Sequence, residues 1–103
     1  MTITQKQTEQ GIHFTIMGSL SGTEHSTIQL FETASIAIGK KPKEIVMDLT
    51  KVIFLDSMSI GLIVGILLKC KEHGVLFRLE NTNPTIKELL DHTSLIKIFP
   101  QLY

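Results

Sequence analysis

The chain has little of what marks a secreted, membrane-embedded or nucleic-acid-binding protein. A single cysteine, Cys70, among 103 residues closes no internal disulfide. A chain without that staple suits a reducing compartment, so a cytoplasmic location is expected. Excess charge of one sign is absent: ten basic residues balance ten acidic ones, which argues against the electrostatic footprint of a nucleic-acid binder. Long apolar runs are missing as well. The longest, Ile60 to Leu68, is about half the length that spans a membrane, so no membrane insertion is expected. Met1-Thr2-Ile3-Thr4-Gln5-Lys6 lacks the apolar core of a signal peptide. Repeats, low-complexity segments and internal linkers are also lacking. With a hydrophobic fraction of 43%, residues 1–103 are expected to form one domain around one core.

What is present alternates between strand and helix patterns. Thr2 to Gln7 reads as a short edge strand, and Gly11 marks a turn. Ile12-His13-Phe14-Thr15-Ile16-Met17 has the period of two of a half-buried strand. Gly18-Ser19-Leu20-Ser21-Gly22 reads as a loop, and Ser21 and Glu24 have capping-box spacing ahead of a helix with Ile28, Phe31, Ile36 and Ile38. Gly39 ends that helix, and Lys40-Lys41-Pro42-Lys43 is a solvated connection. Glu44 to Leu49 is a buried strand pattern. A second helix is predicted from about Met58 to His73, stopped by Gly74. Val75 to Leu79 is a further strand. Asn83-Pro84, cap and first helical residue, opens a helix carrying Ile86, Leu89 and Leu90. Leu95-Ile96-Lys97-Ile98-Phe99 reads as a short strand or tucked tail. This order predicts an α/β domain with a four- or five-stranded mixed sheet and helices mainly on one face.

Most chemistry-bearing residues are not arranged for catalysis. His13, His25, His73 and His92 are scattered, without a second ligand at metal-binding spacing. His73 beside Gly74 suits a cation at a helix C-terminus. Cys70 in mid-helix has no basic constellation to lower its pKa and reads as a small buried residue. Asp48 and Asp56 fall on different elements and make no carboxylate pair. There is no Gly-x-Ser-x-Gly elbow and no phosphate-cradling glycine loop. A non-enzyme without a cofactor is expected.

The most informative segment is Leu55-Asp56-Ser57-Met58-Ser59-Ile60-Gly61-Leu62-Ile63-Val64-Gly65. A polar pair stands where an apolar helix begins. Asp and Ser are good caps, because their oxygens accept from the free amides of a first turn. The same amides and the helix dipole favour an anion. Ser57 is thus a helix cap or a hydroxyl placed to carry phosphate. Helical spacing turns Ile60, Ile63, Val64, Leu67 and Cys70 inward, leaving Met58, Leu62, Ile66 and Leu68 on the flanks or outward. An apolar strip beside Ser57 is a docking surface, for another protein or for weak self-association. Gly61 and Gly65 are expected to let this helix approach the sheet closely.

The order of elements, with Asp48-Leu49 followed by Phe54-Leu55-Asp56-Ser57, resembles a STAS domain of the anti-sigma factor antagonist type. The resemblance takes in Gly11-Ile12-His13-Phe14 through Gly18 and Asn83-Pro84 through Phe99. It implies that Ser57 is phosphorylated by a serine kinase of the histidine-kinase-like ATPase type that is also an anti-sigma factor. It further implies that the unphosphorylated form binds that kinase and that a serine phosphatase resets the cycle. Asp56, Met58, Ser59, Leu62, Ile66 and Ser21 would form the partner-binding surface. Two departures bear on the partner. Met58 and Ser59 stand where the family has a small residue and glycine, and Gly18-Ser19-Leu20-Ser21 replaces Gly-Glu-Leu-Asp. An alternative implied by the same resemblance is an unphosphorylated interaction subunit of a lipid or anion transporter assembly.

Overall fold

A computed structural model describes residues 2–9, 11–21, 24–80 and 83–92. Four strands and three helices follow one another as β1 (Thr2–Gln7), β2 (Gly11–Leu20), α1 (His25–Gly39), β3 (Glu44–Leu55), α2 (Ser57–Glu72), β4 (Leu76–Glu80) and α3 (Pro84–His92). The sheet order is β1-β2-β3-β4. The first pair is antiparallel and the other two are parallel. Thr8 and Gly11 close the β1–β2 turn through reciprocal backbone bonds. The parallel pairs require crossovers, which α1 and α2 supply. The sheet is mixed, as the sequence predicts. Residues 95–99 and the side chains of Leu89 and Leu90 lie outside the described residues.

Register explains where the core sits. Ile12 pairs with Ile45 and Ile45 with Phe77; Phe14 pairs with Met47 and Met47 with Leu79. All six are buried and point to one face, since side chains alternate along a strand. Leu30, Ala34 and Ile38 of α1, Ile60, Ile63 and Leu67 of α2, and Ile86 of α3 join the same cluster. The opposite face carries His13, Val46 and Arg78 in one row. There Arg78 pairs with Glu44 at 3.2 Å and with Glu80 at 3.4 Å. The helices therefore share one face of the sheet.

Three local readings are corrected. Gly18, Ser19 and Leu20 are strand, not loop: they pair with Val52, Phe54 and Leu55. Register shifts between Thr15 and Met17 and between Gly18 and Ser19 let β2 follow its long partner through loop-like composition. Likewise β3 does not stop at Leu49 but runs to Leu55. The Ser21–Glu24 capping box does not form. Glu24 is the N-cap of α1 and its side chain makes no cap bond.

Helix α2 also differs in detail. Ile66, expected on the flank or outward, is 1% exposed, and Val64 is only partly buried. The reason is α1, which packs on α2 and widens the buried arc beyond what the sheet alone would cover. Gly65 serves this helix pair rather than a helix–sheet approach: a Cβ there would stand 3.1 Å from the Phe31 ring. A Cβ on Gly61 would meet nothing within 4 Å. Gly74, the expected stop, has φ of 70°, a left-handed conformation that glycine adopts without cost.

Candidate functional site

The site is the junction where β3 ends at Leu55 and α2 begins at Ser57. Such junctions, at the carboxyl ends of parallel strands, are where α/β sheets present ligand and partner sites. Asp56 is the N-cap, with extended backbone at φ −98° and ψ 173°. Its Oδ1 accepts from the Ser59 amide at 2.8 Å, and its own amide donates to Ser59 Oγ at 3.0 Å. Ser59 Oγ also donates to the Asp56 carbonyl at 2.8 Å. This is a capping box in which serine replaces the usual Glu or Gln at the third helical position. A short hydroxyl fits because Ser59 is fully buried, at 0% exposure.

Ser57 is therefore not the cap. It is the first helical residue, it is exposed, and its hydroxyl makes no hydrogen bond to a described residue. Nor does a bond join it to Asp56, whose carboxylate is turned to the cap and to Ser21. Ser21 Oγ donates to Asp56 Oδ2 at 3.2 Å, across 35 residues of sequence. The first turn of α2 contains no acidic residue, and the Asp56 carboxylate stands at its N-cap, at the positive end of the helix dipole.

Exposed apolar residues flank Ser57 along the chain. Ile53 is 75% exposed, Phe54 51% and Met58 60%, and Leu62 is partly buried. Consecutive exposed residues at 53 and 54 fit the irregular pairing at the end of β3, where Gly18 faces Val52 but Ser19 faces Phe54. Of the residues expected to face a partner, Asp56, Ser57 and Met58 lie at this junction and Ser21 is bonded to it, whereas Leu62 lies farther along α2. Ser59 and Ile66 are buried and are withdrawn from the surface. Ile53 and Phe54 are not singled out by the sequence reading, because it ends the strand at Leu49.

Other candidates lie apart from it. Asp48 Oδ1 accepts from the Thr50 amide at 2.9 Å and its hydroxyl at 2.6 Å. His73 caps the C-terminus of α2, with Nδ1 3.0 Å from the Lys69 carbonyl. Cys70 is buried, and desolvation pushes its thiol pKa up to about 11. Among the described residues no group of three or more potential metal ligands occurs, and no helix is long and apolar enough to cross a membrane. Two open grooves of about 420 and 410 Å³ lie between β1 and α1. The larger one reaches Lys40 to Lys43, at the end of β3 opposite Ser57.

A family model for the STAS domain matches residues 3–103. The chain belongs to the STAS family. No curated protein sequence matches it, but solved structures do. An anti-sigma factor antagonist from Mycobacterium paratuberculosis superposes with a TM-score of 0.81 at 21% identity, covering 99% of this chain and 84% of that one. The Bacillus cell fate determinant SpoIIAA in its phosphorylated form gives 0.78 at 20% identity, over 99% of this chain and 89% of that one. The STAS domain of a SulP transporter from Vibrio cholerae gives 0.67 at 17% identity, over 86% and 72%. At these identities the likeness is one of fold. Anti-sigma factor antagonists are prominent among the similar structures.

Proposed function

We propose that this STAS domain is a phosphorylation-controlled binding protein of the anti-sigma factor antagonist type. Unphosphorylated, it binds a serine kinase of the histidine-kinase-like ATPase type that doubles as an anti-sigma factor. Phosphorylation of Ser57 ends that association, and a serine phosphatase restores it. The observation that carries the reading is the Ser57 hydroxyl: exposed at the start of α2 and relieved of capping by Asp56. In the transfer, Ser57 Oγ forms a bond to the γ-phosphorus of ATP as the bond to the ADP leaving oxygen breaks. The hydroxyl proton passes to a base of the kinase.

The physics favours a binding switch over a folding switch. A phosphate adds nearly two negative charges beside the helix amides, locally favourable by about 0.3–2 kcal/mol. The Asp56 charge opposes it, so stability changes little. A partner covering Ile53, Phe54 and Met58 would have to desolvate that charge, at several kcal/mol unless it offers cations. Each ~1.4 kcal/mol is tenfold in affinity.

Incubation with candidate kinases and ATP, followed by mass spectrometry, tests the modification. Titration of Ser57→Ala, Ser57→Asp and phosphorylated protein against the kinase tests the switch. Tight binding by the alanine variant, weaker binding by aspartate and loss on phosphorylation are expected. Met58→Glu should weaken binding in either background. Equal affinity of Ser57→Ala and phosphorylated protein would overturn the reading. The alternative, an unmodified interaction subunit of a transporter assembly, draws support from the likeness to the Vibrio cholerae SulP STAS domain and would use the same apolar surface without the phosphate.

A further inference from the structure

The Ser21–Asp56 hydrogen bond fastens the end of β2 to the start of α2. Helix capping does not require it, because Asp56 Oδ1 alone takes the Ser59 amide. Its significance emerges when Ser57 bears a phosphate. A phosphoryl group on the first helical residue lies beside the same first-turn amides that Asp56 caps. It brings more charge and three acceptor oxygens against the carboxylate's two. The two anions then compete for one set of donors, and their mutual repulsion favours expelling the weaker one.

We infer that Ser21 is a positioning residue of the switch, which holds Asp56 on the helix cap while Ser57 is phosphorylated. The inference rests on the function proposed above and adds a residue to it. Ser21 is well mounted for the task. It directly follows Leu20, which is buried and pairs with Leu55, the residue before Asp56. The donor thus stands on the last rung of the sheet ladder, close to the carboxylate it serves. Its chemistry is suited too. A hydroxyl supports the second carboxylate oxygen without adding charge. The phosphate is thereby left at the surface, where a partner meets it, and the start of α2 keeps one geometry in both states.

The test needs no kinase. Phosphoserine is installed at position 57 during synthesis of the full chain, in the parent and in Ser21→Ala and Ser21→Thr backgrounds. Amide hydrogen exchange at Ser59 is read against Met47, a buried residue of β3 that reports global opening, and the phosphoserine resonance is followed by ³¹P NMR. In the parent, phosphorylation should leave relative Ser59 exchange within about twofold. In Ser21→Ala, phosphorylation should accelerate it about tenfold or more and shift the ³¹P resonance as the phosphate takes the amide. Ser21→Thr, which keeps the hydroxyl, should restore parent behaviour. Equal Ser59 exchange in phosphorylated parent and phosphorylated Ser21→Ala would overturn the inference, as would loss of protection in the phosphorylated parent. A chain never phosphorylated by a kinase would give the same readings, so failure of the functional proposal shows only in the kinase and titration experiments.

Discussion

The side-chain amide of Asn83 donates to the Val52 carbonyl at 2.6 Å and to the Thr50 carbonyl at 3.2 Å. It does so where β3 has outrun β4, whose pairing ends at Asp48 and Glu80. The same residue caps α3, its Oδ1 accepting from the Ile86 amide at 3.0 Å. One asparagine thus closes a strand edge and starts a helix. Asn83→Ala should cost roughly 2–3 kcal/mol, from the lost cap and two lost bonds. Asn83→Asp keeps the cap but sets a carboxylate against two carbonyls, so it should be no more stable than alanine. Urea denaturation decides: wild-type stability for the aspartate variant would mean that the strand-edge bonds contribute nothing.

The cap assignment separates Ser57 from Asp56 in stability. Ser57→Ala should change the unfolding free energy by less than about 0.5 kcal/mol, as for other exposed substitutions. Asp56→Ala should cost about 1–2 kcal/mol by orphaning the Ser59 amide. Asp56→Asn keeps the capping oxygen, and its amide can donate to Ser21 Oγ, so under about 1 kcal/mol is expected. Thermal melts of the three variants check the order. A larger loss for Ser57→Ala than for Asp56→Ala would reverse the assignment.

The two glycines of α2 should respond oppositely to alanine. At Gly61 a methyl group enters open space, and Gly61→Ala should stabilise by about 0.5–1 kcal/mol, the helix preference of alanine. At Gly65 the methyl group lies 3.1 Å from the Phe31 ring, which α1 holds in place. Overpacking there should cancel the gain or cost about 1 kcal/mol. Equal melting shifts for both variants would show that α1 yields freely to α2.

Cys70 makes a pH prediction. Its thiol, ordinarily ionising near 9.0, is pushed by burial to about 11 in the folded protein. The unfolded chain therefore loses its proton first as pH rises. The associated stability is fully present below pH 9.0 and declines between pH 9.0 and about 11. Cys70→Ala should flatten that part of the stability–pH curve. In the native protein near neutral pH, the thiol should react with disulfide reagents only on unfolding. Rapid labelling of folded protein at pH 7–8 would contradict its burial.

Legibility in the sequence followed the range of the interaction. Asn83-Pro84 opens α3, and Gly74 stops α2, because each acts on the turn beside it. The junction at Asp56-Ser57 was readable for the same reason, although which residue caps was not. Serine at the third helical position departs from the usual box, and only burial shows why it fits. The length of β3 was hidden by Thr50 and Lys51, both exposed, whose polarity broke the strand pattern while pairing with β2 continued. Ile66 looked outward because sequence periodicity does not include α1. Ser21 was assigned a local cap, whereas its partner lies 35 residues away, beyond any spacing rule.

Because Asp56 and Ser59 hold the start of α2 between themselves, residue 57 is uncoupled from the integrity of the domain. Serine, threonine, alanine or aspartate at that position would all leave the scaffold standing. The proposed regulation is then a detachable property: a lineage could lose it by one change and regain it by another, without passing through an unfolded ancestor.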